Sequence, residues 1–315
     1  MVISEFAPIC LFVYNRLDLT KKTLEALQNN TESKHSHLII YSDAPKKIDD
    51  QNKVHEVRDY IKSIPQSSFK TITIVERTVN LGLANSIIQG VSEVVDRYGN
   101  VIVIEDDLVT SKFFLEYMNN CLELYKNDLN VASIHGWTFP LKQRGENTYF
   151  LRGADCWGWA TWKRAWSHFE SNGEVLLTRL KNSHLENKFN LDGAFPYIEM
   201  LQDQIAGKNN SWAIRWHASS FLNEMLTLYP KKSFIQNIGF QNELSTHTKS
   251  ADTSGLYSQE INLNESLKIN KIHTLEDNET RSEIIHLLKS NNRIYKRIFR
   301  KIKRLFLYSS RNSIL

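Results

Sequence analysis

This 315-residue sequence lacks several features that would assign a protein to a class at once. Its three cysteines, Cys10, Cys121 and Cys156, are widely spaced without a CxxC pair, so neither a disulfide framework nor a cysteine-ligated zinc site is expected. It has no GxxxxGKS/T loop, and no GxGxxG follows the first predicted strand. No stretch reaches the roughly 18 uncharged apolar residues of a membrane-spanning helix, and the first ten residues do not resemble a secretory signal. We therefore expect a cytoplasmic protein, or one on the cytoplasmic face of a membrane.

Acidic residues are missing from one end of the chain. From Lys289 onward there are nine Lys or Arg and no Asp or Glu, whereas residues 1–288 hold 30 basic and 35 acidic residues and carry a formal charge of −5. A nucleic-acid partner is disfavoured, because its electrostatic footprint would have to lie on the folded body. Apolar residues recur at helical spacing between residues 294 and 305, which is typical of a basic helix on an anionic bilayer. A helix that packs on the body or pairs in an oligomer is the alternative.

Short apolar runs alternate with helical patterns over the first 130 residues. The predicted strands cover residues 9–14, 37–41, 71–75 and 101–104, and the predicted helices cover residues 19–27, 54–64, 83–95 and 112–124. Thr20 is the predicted N-cap of the first helix. This alternation is typical of a parallel sheet with helices on both faces, in which ligands bind beyond the carboxyl ends of the strands. Asn15, Arg16, Asp43 and the acidic run at 105–107 would then share one edge.

Three carboxylates in a row, Glu105, Asp106 and Asp107, follow the fourth predicted strand. Like charges at this spacing raise one another's pKa unless a cation or hydrogen-bond donors balance them, and a divalent metal would do so. Because side chains alternate along an extended strand, we expect Glu105 and Asp107 on one side and Asp106 on the other. Mg²⁺ or Mn²⁺ held by one or two of these carboxylates and by substrate phosphates is one interpretation, and a solvated acidic turn is the other.

The order of the motifs resembles a known family. FVYNR, IIYSDAP, NLGLANSI and VIVIEDDLVTSKFFLEYM are similar to the nucleotide-sugar half of GT-A fold glycosyltransferases, and EDD followed by FFLEY is especially similar to the N-acetylglucosaminyltransferase I type. CWGWATWKRAW, SWAIRW and TLYPKKSFIQNIGF with STH resemble bacterial polysaccharide glycosyltransferases. The resemblance implies an α/β protein of the GT-A fold, with a Rossmann-like, mostly parallel central sheet, flanking helices and a C-terminal helical extension.

The resemblance covers roughly residues 7–248, which sets the expected domain boundaries. We expect a GT-A domain over residues 1–248, with its nucleotide-sugar half at 1–130 and its acceptor half at 131–248. Residues 249–288 are polar and turn-rich and are predicted to form a linker or peripheral segment. Residues 289–315 form the basic amphipathic tail.

The resemblance also implies roles for the matching positions. The base and ribose of the nucleotide would be held by Tyr14, Asn15, Arg16 and Asp43. The nucleotide or the donor sugar would be bordered by Asn80, Gly82 and Asn85. In the acidic run, Asp107 would ligate the metal, Asp106 would face the ribose or donor, and Glu105 would support the donor sugar or the hydrogen bonding of the site. His247 would lie near the metal or the diphosphate.

An inverting transfer also needs a carboxylate base within reach of the acceptor hydroxyl. Similar enzymes place it near an SW motif, but here Asn209 and Asn210 precede Ser211 and Trp212. Asp203 is the favoured base among three acidic candidates, which also include Glu199 and Asp155.

The second half is rich in tryptophan. Trp157 and Trp159, on either side of Gly158, are interpreted either as a flat wall on which an acceptor sugar stacks or as core residues. Trp159, Trp162 and Trp166 recur at helical spacing, and Trp162 and Trp166 are assigned to the core. Arg215 would face a diphosphate or a structural carboxylate in the acceptor half.

Together these features predict a metal-dependent, inverting glycosyltransferase that takes Mn²⁺ or Mg²⁺ and a nucleotide-sugar donor, UDP-sugar being favoured. Its acceptor would be a glycan or a lipid-linked glycan in bacterial surface-polysaccharide assembly, on the inner face of the plasma membrane. A sugar-nucleotide nucleotidyltransferase is one alternative, although its glycine-rich N-terminal motif is absent. A non-catalytic glycan-binding or scaffold protein on a degenerate transferase fold is the other.

Overall fold

A computed structural model describes residues 5–142, 145–239, 261 and 266–290 of the chain. The strands are β1 (Ile9–Val13), β2 (His37–Ser42), β3 (Thr71–Glu76), β4 (Asn100–Glu105), β5 (Leu108–Thr110), β6 (Val131–His135), β7 (Thr148–Arg152), β8 (Trp159–Trp162), β9 (Leu226–Pro230) and β10 (Ile235–Asn237). The helices are α1 (Leu17–Gln28), α2 (Gln51–Lys62), α3 (Gly82–Tyr98), α4 (Phe114–Leu124), α5 (Lys163–Trp166), α6 (Gly173–Asn182), α7 (Glu186–Phe189), α8 (Tyr197–Ile205) and α9 (Trp212–Leu222). Short 3₁₀ turns occupy Thr31–His35, Ile48–Asp50 and Gln66–Ser68.

Eight strands form one central sheet in the order β3-β2-β1-β4-β8-β6-β9-β7. β1 to β4 pair in parallel, β6 pairs in parallel with β9, and β8 and β7 run antiparallel to their neighbours. A separate two-stranded ribbon joins β5 to β10. The predicted mostly parallel sheet with flanking helices is confirmed.

The first half of the sheet follows from its apolar runs. Every residue of β1 is buried, as expected for a central parallel strand covered on both faces. The predicted N-cap of α1 is wrong. Thr20 lies inside the helix, where its Oγ1 donates a hydrogen bond of 2.9 Å to the Arg16 carbonyl, and Arg16 itself occupies the cap position.

The second half of the sheet is built around tryptophans. The helical spacing predicted for Trp159 and Trp162 is wrong, because both lie in β8, between β4 and β6. The Trp159 ring stacks on Trp212 with centroids 5.3 Å apart, and Trp166 and Trp216 pack beside it. Strand β8 therefore contributes two buried tryptophans to the core.

Residues 266–290 pack against the body. The backbone N–H of Ile272 donates to the Tyr125 hydroxyl at 2.9 Å, and that of Asp277 donates to the Phe150 carbonyl at 2.9 Å. A helix over residues 278–290 buries Ile284 and Leu288 against an apolar cluster on the sheet side. The boundary drawn between residues 288 and 289 falls within this helix, and the domain limits stay predictions. None of the helices in the described ranges combines the length and the apolar character needed to cross a bilayer.

Candidate active site

Strand register brings the polar residues of three strands to one edge of the sheet. In the parallel pairs, Phe12 of β1 is level with Glu105 of β4, and Val13 is level with Ser42 of β2. The residues that follow these strands therefore start side by side at the carboxyl edge, where ligands bind in open α/β sheets. This edge holds the loop after β1, the loop after β2 and the acidic run after β4.

Arg16 joins the acidic run to the loop after β1. Its guanidinium forms an ion pair with Asp106 through two nitrogens, and its Nη1 lies 2.9 Å from Asp107 Oδ2. Asp106 and Asp107 do not follow the alternation of side chains expected along a strand, because β4 ends at Glu105 and these two residues form a turn. The turn presents both aspartates to the same cation. Thr23 of α1 fixes it by donating from Oγ1 to the Asp106 carbonyl at 2.9 Å.

The acidic run carries more negative charge than the fold neutralises. Burial raises the pKa of Glu105 above its usual range, and the charges of Asp107 and Asp106 raise it further. Burial also raises the pKa of Asp106, although the Arg16 charge opposes this. When all three carboxyls are ionised, one guanidinium leaves a formal charge of −2, the charge that Mg²⁺ or Mn²⁺ would cancel with oxygen ligands. The residues present therefore fit a divalent cation.

The ribbon of β5 and β10 sets the surroundings of Asp107. The Ile238 backbone N–H donates to the Asp107 carbonyl at 2.9 Å, and a Cβ at Gly239 would collide with the Asp107 carboxylate. Only glycine lets the chain pass so close to this side chain. His247, predicted to lie near the metal, falls outside the described residues, eight positions after Gly239. Within the described ranges, no group of three or more His, Cys, Asp or Glu side chains could hold a metal ion on its own.

Asp43 organises the turn that opens α3. Its two carboxylate oxygens accept the backbone N–H groups of Leu81 and Gly82 at 2.9 and 2.8 Å, which gives the helix N-terminus an acceptor. Asn80 donates to the Ala44 carbonyl at 2.6 Å, so the loops after β2 and β3 are tied together. Gly82 adopts φ +71°, a conformation that favours glycine. The exposed Asn85 donates to the Leu81 carbonyl at 3.1 Å.

Asp50 belongs to this site although the sequence analysis did not identify it. Its two oxygens accept the Tyr14 hydroxyl at 2.9 Å and the Asn15 side-chain amide at 3.0 Å. The Lys46 backbone N–H donates to the same Tyr14 hydroxyl at 2.8 Å. The loop after β1 is thereby fastened to the segment that precedes α2. No local motif marks this contact, since 36 residues separate Tyr14 from Asp50.

The loop before β8 separates the two predicted wall residues. Gly158 adopts φ +57°, and Trp157 and Trp159 on either side of it have different environments. All seven tryptophans lie in described residues, and Trp157 is the one that is not buried, whereas Trp159 is 0% exposed. His135 braces this loop: its Nδ1–H donates to the Trp137 carbonyl at 2.9 Å, and its Nε2 accepts the Trp157 N–H at 3.0 Å. The geometry matches the core interpretation for Trp159 and leaves Trp157 partly exposed, with its ring against that of Trp137.

Asp155 lies on the same loop as Trp157, next to Cys156. Burial raises the pKa of the neighbouring Cys156 thiol, and the negative charges of Asp155, Glu105 and Asp107 raise it further. Asp155 is half-buried and accepts the Cys156 backbone N–H at 3.0 Å. The Cys156 thiol therefore lies within electrostatic reach of both Asp155 and the acidic run.

The other two predicted residues of the second half have local partners. Asp203, on α8, forms an ion pair of 2.7 Å with Lys208, and no described contact joins it to the acidic run. Arg215 of α9 is buried, and its guanidinium donates to the Ser211 and Ser171 carbonyls at 3.1 Å and to the Asn210 side chain at 3.3 Å. Burial lowers the pKa of Arg215. Its partners in the described contacts are peptide and amide oxygens, and no carboxylate is among them.

Several solved structures are similar to this chain in part. A mannosyltransferase, PcManGT from Pyrobaculum calidifontis in complex with GDP-Man and Mn²⁺, aligns with a TM-score of 0.32 and 15% identity over 42% of this chain and 36% of its own. S. aureus TarS aligns with a TM-score of 0.31 and 12% identity over 45% of this chain and 23% of its own. TarS 1-349 aligns with a TM-score of 0.32 and 9% identity over 57% and 49%. This chain thus spans less than half the length of each.

The sequence profile of Glycosyl transferase family 2 matches residues 9–177, which is more than half of the chain. The match begins at β1 and extends into α6, so it includes Arg16, Asp43, the acidic run and the Trp157 loop. Among curated proteins, none matches the sequence. The chain belongs to glycosyl transferase family 2, and its mostly parallel central sheet with flanking helices is that of the GT-A fold.

Proposed function

We propose that this protein transfers a sugar, with inversion, from a UDP-sugar to a glycan or lipid-linked glycan in bacterial surface-polysaccharide assembly. The observation that carries the proposal is the acidic run at the carboxyl edge of the sheet, where Arg16 pairs with Asp106 and Asp107 and the buried Glu105 lies within reach of their charges. A site that holds three carboxyl groups and one paired guanidinium suits a divalent cation together with the phosphates that such a cation brings.

Asp107 would hold the metal, with Glu105 beside it. When bound, Mn²⁺ or Mg²⁺ supplies neutralisation of the charge that develops on the leaving diphosphate. Support comes from the raised pKa of Glu105, because burial and the two aspartates penalise its charge and a cation would relieve that penalty. His247 stays a predicted neighbour of the metal or diphosphate.

The nucleotide would bind where the loops after β1, β2 and β3 meet. Tyr14 and Asn15 are held in place by Asp50, and Asp43 fixes the turn that contains Asn80 and Gly82. In this proposal these residues shape the pocket for base and ribose, and Asn85 borders it from the first turn of α3. Preorganised loops reduce the entropy lost when the ligand binds.

The acceptor would enter beside Trp157, with Asp155 as the base. A base must lie within reach of the acceptor hydroxyl and opposite the leaving group. Asp155 shares a loop with the partly exposed Trp157, and its neighbour Cys156 lies within electrostatic reach of Asp107. Asp203, which the sequence favoured, stays a prediction, but its ion pair with Lys208 supplies no link to the acidic run.

Attachment to the inner membrane surface would come from residues 289–315. Most of this tail lies outside the described residues, so support comes from its nine Lys or Arg and its apolar spacing. Truncation after Ser290 keeps the buried Ile284 and Leu288 of the preceding helix. The truncated protein should no longer sediment with vesicles rich in phosphatidylglycerol, to which the full chain should bind. Equal sedimentation of both would remove this part of the proposal.

Calorimetric titration with UDP and with GDP, each with and without Mn²⁺, tests the donor site. We expect Mn²⁺-dependent binding of UDP by the wild type and its loss in Asp107→Asn. The matched control is Asp96→Asn, an exposed carboxylate of α3 that pairs with Lys163 and should change nothing. Preference for GDP would correct the nucleotide. Binding of neither nucleotide, or equal binding by Asp107→Asn, would contradict the proposed donor site.

A further inference from the structure

Arg16 places a positive charge beside Asp107, the predicted metal ligand. Among the described residues it is the cation paired with the acidic run, and it contacts both Asp106 and Asp107. Its side chain is only 24% exposed. Burial by itself lowers the pKa of Arg16, but the charges of Asp106 and Asp107 outweigh that effect and raise it. The guanidinium is therefore a permanent positive charge placed against the predicted metal ligand.

We propose that Arg16 is a built-in counter-cation that keeps Asp107 from binding a divalent metal until a nucleoside diphosphate is present. This inference rests on the proposed function, because it needs Asp107 to be the metal ligand. Arg16 then couples the two ligands: it weakens metal binding to the empty site and favours metal and nucleotide binding together.

The two ion pairs of Arg16 differ in a way that suits this role. The pair with Asp106 uses two guanidinium nitrogens, and the side chain of Asp106 is 6% exposed. The pair with Asp107 is a single contact of 2.9 Å, and its carboxylate is 16% exposed. Two-point pairing fixes orientation better than one contact does. Asp106 thus anchors the guanidinium, and Asp107 is the partner that can be given up.

Charge explains why a diphosphate would release Asp107. A divalent ion at Asp107 would lie close to the guanidinium, and like charges a few ångströms apart in a partly buried site repel strongly. A diphosphate brings negative oxygens that can accept from Arg16 and ligate the metal at the same time. The repulsion is then replaced by attraction. By linkage, the metal must strengthen nucleotide binding by the same factor as the nucleotide strengthens metal binding.

Electron paramagnetic resonance of free Mn²⁺, with the full-length protein and no nucleotide, measures the effect without catalysis. Arg16→Gln should bind Mn²⁺ at least about tenfold more tightly than the wild type, because the repelling charge is gone. Arg16→Lys keeps the charge and should bind Mn²⁺ as weakly as the wild type. Arg97→Gln, which removes an exposed charge from the last turn of α3, is the matched control and should have no effect.

Addition of UDP, and of GDP in parallel, completes the test. After subtraction of the Mn²⁺ that the nucleotide binds in buffer alone, the nucleotide should tighten Mn²⁺ binding to the wild type about tenfold or more, and the gain should be smaller in Arg16→Gln, where only ligation by the phosphates contributes to it. Unchanged or weaker Mn²⁺ binding by Arg16→Gln overturns the inference, and so does a wild type whose Mn²⁺ affinity ignores the nucleotide. The second result needs no variant, so it decides the question even if Arg16→Gln does not fold.

The failure of the proposed function gives a different pattern. If Asp107→Asn binds Mn²⁺ as the wild type does under every condition, Asp107 is not the ligand and the donor-site proposal fails. If binding depends on Asp107 but not on the charge at residue 16, the donor site stands and only the counter-cation role is wrong.

Discussion

The two halves of the central sheet differ in how sequence order relates to strand order. β1 to β4 are parallel neighbours, so each loop at the carboxyl edge follows directly from a strand. In the second half, β8 returns antiparallel between β4 and β6, and β7 lies at the far edge. A site at the ends of parallel strands can be located from local patterns. A site between interleaved strands depends on contacts that are distant in sequence.

The halves also differ in chemistry. The first half gathers charged groups, with Arg16 between two aspartates and Asp43 on a helix N-terminus. The second half uses neutral groups, with His135 held between backbone partners and tryptophans packed around β8. The first half thus suits a divalent cation and the phosphates bound with it, whereas the second suits a sugar face and a water-poor setting for proton transfer. A substitution in one half of the sheet should therefore leave the function of the other half intact.

The largest expected effect concerns the base. Asp155→Asn should lower the turnover number by about 10²–10⁴-fold, the usual contribution of general base catalysis, because the amide cannot accept the acceptor proton. Nucleotide binding should be unchanged, since Asp155 belongs to the second half. Single-turnover transfer, together with calorimetric titration of UDP, separates the two effects.

Asp203→Asn is the control for this experiment, because it removes the same charge from α8. Its turnover should be within a few-fold of the wild type, since Asp203 pairs with Lys208. The reverse pattern, a severe loss in Asp203→Asn and none in Asp155→Asn, would return the role of base to the residue that the sequence favoured.

Trp157 and Trp159, which are separated by one residue, test which of the two belongs to the core. Trp159→Ala should lower the free energy of unfolding by about 3–5 kcal/mol, because the ring is fully buried among three other tryptophans. Trp157→Ala should cost much less stability and should raise the KM for the acceptor. Urea unfolding and acceptor saturation curves give both quantities. Similar losses of stability in the two variants would mean that Trp157 is also a core residue.

Some of this division could be predicted from the sequence. Apolar runs that end in polar residues locate the ends of β1, β2 and β4, and so the shared edge. The position of β8 could not be found in this way, because residues 159, 162 and 166 mimic a helical period while a four-residue strand shows little periodicity. The double pairing of Arg16 also escaped local reasoning, since it depends on a turn where the sequence indicates a strand.

Acid should destabilise the second half. Burial lowers the pKa of His135 below its ordinary value, and the same cause lowers that of His217. Below about pH 6.5 the unfolded chain binds protons that the folded chain does not, so stability falls as the pH falls. The slope is at most about 1.4 kcal/mol per pH unit for each histidine, and stability is fully retained above the ordinary pKa.

The acid-induced loss of stability is compared between the wild type and His135→Gln. The difference between the two losses separates the contribution of His135 from that of the other titrating groups. Urea unfolding between pH 5 and pH 7.5 should show a smaller acid-induced loss in the variant. His55→Gln is the control, because His55 is exposed on α2 and pairs only with Asp59 in the described contacts. If His55→Gln changes the slope as much as His135→Gln does, the buried histidine is not the cause.

The smallest expected effect concerns the loop after β1. It tests whether the strand ends alone position this loop or whether its contact with Asp50 is also needed. Asp50→Ala removes the acceptor shared by Tyr14 and Asn15, so the loop after β1 loses its fastening to the segment before α2. We expect UDP to bind several-fold more weakly, because binding must then order the loop, whereas turnover at saturating donor should persist. Asp49→Ala, the exposed neighbour, should match the wild type, and Tyr14→Phe should reproduce part of the loss. If Asp50→Ala binds UDP as tightly as the wild type does, the strand ends alone position the loops. The ligand site of this half then needs no contact between residues that are distant in sequence.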